Sequence, residues 1–285
     1  MSERAVRGRD HTVLPGADGT VVRRRTDPAG EGLDVTREAA LLSLIGQLSP
    51  LPVPRVLRVL EDSQTLVMER VPGTPLLDVL PDLPDQAAWS IGAQLGELLA
   101  VLHRTPPEWV AAIVPEEPAV VAEYHQDAER LFVTARRHLP AGSIGAVEDF
   151  LDAPPPPPAP RLRLCHNDLG AEHVFVGPPG DRVTGVIDWS DASLGDPGLD
   201  LGLIWRDLGE DGFAVALGRL PADDAERDDL VVRSRFFARV KALEDVAFGL
   251  ETCQDAYLHN ATRALGRLFW GPTWHHTRSR PPRTS

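Results

Sequence analysis

LCHNDLGAEHVFV, residues 164–176, crowds two histidines, an asparagine and two acids between two apolar, strand-like segments. A metal cluster, a catalytic loop and ordinary loop polarity all fit such a stretch. A second segment, TGVIDWSDASLGDPGLDLG (184–202), follows soon after. Asp168 falls in a turn after the buried-looking strand RLRLC, His173 begins the next strand, and Asp188 ends VTGVI. If HVFVG and VTGVID pair as a hairpin, His173 and Asp188 come together near Asp168. A carboxylate held in a loop serves as a general base when a neighbour fixes its orientation. Two or three such ligands with open positions suit Mg²⁺, which prefers carboxylate oxygen and substrate phosphates to a full protein cage. A zinc or other transition-metal hydrolase site built from His166, Asp168, His173 and Asp188 is also chemically possible.

The flanking sequence divides into two kinds of organisation. HTVL (11–14), GTVVRRR (19–25), PRVLRVL (54–60) and QTLVMERV (64–71) read as short strands, with ADG (17–19) as a hairpin turn. Between the second and third lies DVTREAALLSLIGQL (34–48), whose apolar residues recur at helical spacing, with Asp34 or Thr36 as its cap. From about residue 84 the pattern turns helical. In DQAAWSIGAQLGELLAVLHRT the residues Trp89, Ile91, Leu95, Leu98, Leu99 and Leu102 form an apolar face, and Gly92 and Gly96 suggest close approach to another element. VVAEYHQDAERLFVTARRHL and SIGAVEDFL are helical too, DAPPPPPAPR is an extended connector inside one lobe, and three further helices follow Gly198. HHTRSRPPRTS reads as a frayed basic tail.

Composition narrows the class. The formal net charge is −13, which argues against a general nucleic-acid binder. Residues 1–60 carry nine arginines against seven acids, so the negative excess lies in the remainder, where it could attract a cationic small molecule. No apolar run approaches a membrane span, and no apolar stretch follows the N-terminal charges as a signal peptide would require. Two cysteines without metal-ligand spacing point to a reduced, cytoplasmic protein.

Three motifs carry a resemblance. His166-Asn167-Asp168-Leu169-Gly170-Ala171-Glu172-His173 is similar to a catalytic loop of the form H-G-D-x-x-x-x-N; Ile187-Asp188-Trp189 is similar to an I-D-W metal motif; Gly195-Asp196-Pro197-Gly198-Leu199-Asp200-Leu201 matches G-D-P-x-x-D-L. In order and spacing they resemble the aminoglycoside and macrolide phosphotransferase superfamily, small-molecule kinases with a protein-kinase-like fold. The resemblance implies an α+β, two-lobed chain, with a β-rich nucleotide-binding lobe over 1–72 and a mainly helical catalytic and substrate-binding lobe over 73–285. It implies Mg²⁺-dependent transfer of the γ-phosphoryl group of ATP or GTP to a hydroxyl of a small molecule, an aminoglycoside or macrolide antibiotic among the options. Asp168 then matches the catalytic aspartate, His166 the histidine that supports the loop, and Asp188 the metal-binding acid. His173 stands where most members have asparagine, as the second metal position.

The same resemblance asks for a phosphate-contacting cation on the third strand and a helix glutamate to hold it. No lysine precedes Lys241, so arginine takes the role: Arg23, or Arg24 on the opposite face, with Glu38 as the helix acid. Of Arg23, Arg24 and Arg25, one is expected to face inward and two outward. Gly8 sits where a glycine-rich loop would fall, and backbone groups near Glu69 and Val71 match the hinge that binds a purine edge. Two other readings stay open, a nucleotide-binding pseudokinase and a metal-dependent hydrolase. Glu244, Asp245, Glu251 and Asp255 could face a polyamine or form a solvated face. Phe236, Phe237, Phe248, Phe269, Trp270 and Trp274 could line a pocket or pack a core.

Overall fold

The computed structural model describes residues 6–7, 11–16, 18–26, 32–139 and 141–270. Gly8, Trp274 and the 275–285 tail lie outside them, as does the side chain of Trp270. β1 (Val6–Arg7), β2 (His11–Pro15) and β3 (Thr20–Arg25) precede the helix α1 (Val35–Leu48), and β4 (Val56–Leu60) and β5 (Thr65–Glu69) follow it. They form one antiparallel sheet in the order β1-β2-β3-β5-β4. Asp18 and Gly19, both at positive φ, make the turn into β3, and the Gly16 amide closes it on the Thr20 carbonyl. α1 starts at Asp34, whose carboxylate accepts the amides of Thr36 and Arg37 at 2.9 Å. Val35, Leu41, Leu42 and Ile45 bury one side of it.

Strand alternation decides the fate of the three arginines. Arg23 and Arg25 share the inner face and are buried, while Arg24 points outward to the Ser63 carbonyl. Two inward and one outward is the reverse of the expected mixture, as a two-residue period demands once Arg23 is inside.

Beyond the sheet come β6 (Thr74–Pro75), the short α2 (Leu76–Val79), the long α3 (Asp85–Arg104), the short α4 (Pro107–Val110), α5 (Val121–Ala135) and α6 (Ile144–Asp152). The proline run then leads to β7 (Arg163–Cys165), β8 (Val174–Gly177), β9 (Arg182–Val186) and β10 (Ser193–Gly195). β8 and β9 form the anticipated hairpin, with β6 on its edge. β7 pairs with β10, a strand too short for its alternation to show in the sequence. α7 (Pro197–Arg219), α8 (Asp224–Thr252) and α9 (Asp255–Trp270) complete the helical part. The architecture is α+β, with a small antiparallel sheet ahead of a larger helical portion.

α3 and α7 pack unusually close because of small residues. A Cβ on Gly92 would lie 2.4 Å from the Gly212 carbonyl oxygen, and one on Gly96 2.6 Å from that of Ala216. Ile91, Leu95, Leu98, Leu99 and Leu102 are buried as their spacing required, whereas Trp89 is exposed on the surface of the same helix. α7 is broken at Gly209, whose φ of 78° suits only glycine. Phe236 and Phe237 belong to the core, and Phe150, Phe236 and Phe269 form a chain of ring contacts within it. No described helix is long and apolar enough to cross a membrane.

Candidate active site

The β8–β9 hairpin continues one step past its last ladder pair: the Ile187 amide donates to the His173 carbonyl at 2.9 Å. That bond sets Asp188 beside His173. The loop between β7 and β8 carries Asp168 to the same place. His173 Nδ1–H donates to the Asp168 carbonyl at 2.8 Å and lies 3.2 Å from Asp168 Oδ2, while Nε2 lies 3.8 Å from Asp188 Oδ2. Asp168, Asp188 and His173 thus meet, as their spacing suggested. Burial alone would lower the His173 pKa, but Asp168, Glu172 and Asp188 outweigh it and push it up to about 9. The imidazole is a cation between carboxylates here and must release a proton before Nε2 can ligate a metal.

His166 has a different task. It is fully buried, its Nε2–H donates to the Ile187 carbonyl at 3.0 Å, and its Nδ1 accepts the Asp168 amide at 3.2 Å. Burial and the neighbouring His173 lower its pKa to about 4, so the ring is neutral and both nitrogens are committed to backbone. It ties the Asp168 turn to the Asp188 strand. Asn167, between them, takes the left-handed conformation at φ 65° and donates its side-chain amide to the Asp191 carbonyl and the Ser193 hydroxyl.

Arg23 brings the sheet to this cluster. Its Nη1 lies 2.5 Å from Asp188 Oδ1, and its Nη2 pairs with Glu38. Burial works to raise the Asp188 pKa, yet Arg23 and His173 overcome it and hold the carboxyl well below the usual carboxylate range. The Ser190 hydroxyl also donates to Asp188, at 3.0 Å. Glu69 and Val71 sit at the far end of β5. The Glu69 amide is already given to the Arg55 carbonyl, and its carboxylate pairs with Arg55 on the surface. The Val71 amide has no backbone partner among the described residues.

Several supporting residues had no assigned role in the sequence. Asp200, buried in the first turn of α7, accepts the amides of His166 and Asn167, each at 2.8 Å, one on each oxygen. Burial raises its pKa to about 7 against the pull of those two donors. Its motif, GDPGLDL, was visible; the partner amides were not. Asp207 accepts the Ala171 amide at 2.8 Å and is held by Arg206, whose guanidinium also reaches Asp245 and Glu172. Asp245 is therefore buried in an ion cluster behind the loop, while Glu251 and Asp255 are exposed. Glu244 pairs with Lys241, and Lys241 lies over the Tyr124 ring. Asp168, Glu172 and His173 offer ligand atoms close enough to hold a metal ion, a set rich in oxygen.

A sequence model of the phosphotransferase enzyme family matches residues 8–234. Viomycin phosphotransferase of Streptomyces vinaceus is 31% identical over 223 residues, covering 74% of this chain and 76% of its own. Aminoglycoside 3′-phosphotransferase of Streptomyces fradiae is 30% identical over 186 residues, with coverage of 64% and 67%. Among solved structures, the GDP and kanamycin complex of APH(2″)-IIIa superposes with a TM-score of 0.69 at 20% identity, over 93% of this chain and 92% of that one. Macrolide 2′-phosphotransferase MphH from Brachybacterium faecium does so at 0.57 and 22% identity, over 92% and 91%.

Proposed function

Because the chain belongs to the phosphotransferase enzyme family, we propose that it transfers the γ-phosphoryl group of ATP or GTP to a hydroxyl of a small cationic antibiotic. Residues 1–72 would form the nucleotide lobe and 73–285 the catalytic and acceptor lobe. The observation that carries the reading is the approach of Asp168 and Asp188 to one imidazole, with Asp188 reached from the sheet by Arg23.

The Asp188 carboxylate, 3.8 Å from His173 Nε2, suits Mg²⁺, which prefers oxygen ligands. Asp188 would hold the ion, with His173 Nε2 as a second ligand once deprotonated. When bound, the metal would neutralise charge developing on the nucleotide phosphates. The remaining work falls to the chain. Asp168, partly exposed, accepts the acceptor hydroxyl proton or orients that hydroxyl for in-line attack. His166 fixes the backbone of the Asp168 turn from below, and His173 holds the turn from the side. Arg23, anchored by Glu38, presents a planar, permanently charged group where a lysine would otherwise face phosphate. The Val71 amide is a free donor for a purine edge.

Two features favour a cationic acceptor. The relatives at about 30% identity are named for viomycin and for aminoglycosides. Asp168, Asp191 and Glu244 also outnumber Lys241 around Tyr124. The test is a panel of viomycin, kanamycin and a macrolide with Mg²⁺ and either ATP or GTP, read by the mass of a phosphorylated product. A product from viomycin or kanamycin, absent with Asp168→Ala, is expected. Nucleotide binding with no product from any acceptor would favour a pseudokinase, and hydrolysis of esters with Zn²⁺ alone would favour a hydrolase.

A further inference from the structure

On the far side of α7 from the catalytic loop lies a cavity of about 360 Å³, bordered by the start of α3, the broken middle of α7, the centre of α8 and the end of α9. Its size falls within the range of ligand pockets, ~300–1,000 Å³. α7 divides the two places. Arg206 and Asp207 turn to the Glu172–Asp245 cluster, whereas Trp205 and Leu208 line the cavity.

Three guanidinium groups border this space, from Arg235, Arg239 and Arg267. Arg235 lies over the Trp205 ring, 5.0 Å from its centroid, and Trp205 is itself stacked on Phe213. Arg239 donates Nε and Nη2 to the Leu268 carbonyl. Arg267 donates Nη2 to the carbonyls of Arg206 and Asp207, beside the break at Gly209. Each thus has a ring or backbone oxygens as its company, and none forms an ion pair with a carboxylate among the described residues. In a chain with 42 acids and 29 bases, three arginines in one cavity with no carboxylate in direct contact stand apart. Asp85, Glu210 and Asp211 also border the cavity, and Glu210 lies near enough to Arg235 to feel its charge without closing a pair. Burial and Arg235 together pull the Arg239 pKa down to about 10, and burial and Arg263 do the same to Arg267. A bound anion would offset the like charge of Arg235 and Arg239. The exposed Trp89, which borders the same cavity, supplies an apolar wall.

We propose that this cavity is a second ligand site, for a small organic anion whose carboxylate or phosphate meets Arg235, Arg239 and Arg267 and whose flat apolar part packs on Trp89. The experiment titrates the full chain with benzoate, phenyl phosphate and the neutral analogue benzamide, followed by calorimetry and tryptophan fluorescence. Saturating Mg²⁺–ADP is present throughout, to occupy the nucleotide site. At least one anion is expected to saturate, and which one does so tells carboxylate from phosphate. Benzamide is expected to bind at least about tenfold more weakly, as is the preferred anion to Arg235→Gln, since charge-assisted hydrogen bonds are lost. Trp89→Ala, a surface change, should weaken binding severalfold and keep the parent rate of phosphoryl transfer. Equal affinity for benzamide would overturn the proposal. So would parent-like binding by both variants, or no saturation below about 10 mM, a Kd too weak for a built site.

Discussion

Arg23 Nη1 lies 2.5 Å from Asp188 Oδ1, although 165 residues separate them in the chain. The same guanidinium pairs with Glu38 through its other terminal nitrogen. One planar fork therefore joins α1, the sheet and the loop after β9, a geometry that a lysine ammonium cannot reproduce. Arg23→Lys is expected to lower kcat/KM by about 10–100-fold, the usual effect of losing a group that orients a ligand. Arg23→Ala should also cost about 3–5 kcal/mol of stability, because Glu38 is left buried and unpaired. Steady-state kinetics and denaturant unfolding check the two effects separately.

Asp200 carries the backbone that leads into the Asp168 turn on its two oxygens. Asp200→Asn keeps the shape but offers one oxygen, and its amide nitrogen then faces a backbone N–H. A loss of about 1–3 kcal/mol follows from the unsatisfied donor. The Asp168 turn loosens with it, so kcat should fall while nucleotide affinity, measured by calorimetry, stays near the parent value.

His103 sets a limit on acid stability. It is buried at the end of α3, its Nε2 has no partner among the described residues, and burial with Arg163 nearby lowers its pKa to about 3. In the unfolded chain the group titrates near 6.5, so below that pH the unfolded state binds a proton that the native state refuses. Its contribution is fully present above pH 6.5 and declines as pH falls toward 3, by up to about 1.4 kcal/mol per pH unit. Unfolding free energies from pH 7 to pH 4 should show this slope, and His103→Gln should make it shallower by that amount.

Gly92 tests the α3–α7 contact. Its Cβ would meet the Gly212 carbonyl, which is backbone and cannot swing aside. Gly92→Ala is expected to lose about 1–3 kcal/mol despite the better helix propensity of alanine. Thermal unfolding reads the result.

The periodic elements were legible because their signals are local. The Asp34 cap, the α1 spacing and the β8–β9 hairpin follow from residues close in sequence. So does the meeting of Asp168, His173 and Asp188, since the hairpin register brings them together. The bidentate seat that Asp200 makes for His166 and Asn167 spans more than thirty residues and rests on backbone amides, which no side-chain pattern reveals. Asp245 illustrates the opposite failure. Its spacing on α8 fits a solvated face, yet Arg206, on another helix, draws it into a buried cluster. Trp89 fits an apolar face by spacing and is left exposed at the cavity between α3, α7, α8 and α9, where no side-chain pattern of α3 alone could place it.

In the proposed mechanism Asp168 and Asp188 do unequal work, and one paired measurement separates them. With the acceptor that the substrate panel identifies, phosphoryl transfer and Mg²⁺–nucleotide affinity are measured for Asp168→Ala and Asp188→Ala. Asp168→Ala is expected to lose transfer by about 10²–10⁴-fold while its nucleotide Kd stays at the parent value, and Asp188→Ala to lose both. Parent-like turnover by Asp168→Ala, or an equal loss of nucleotide affinity in the two variants, would contradict these roles.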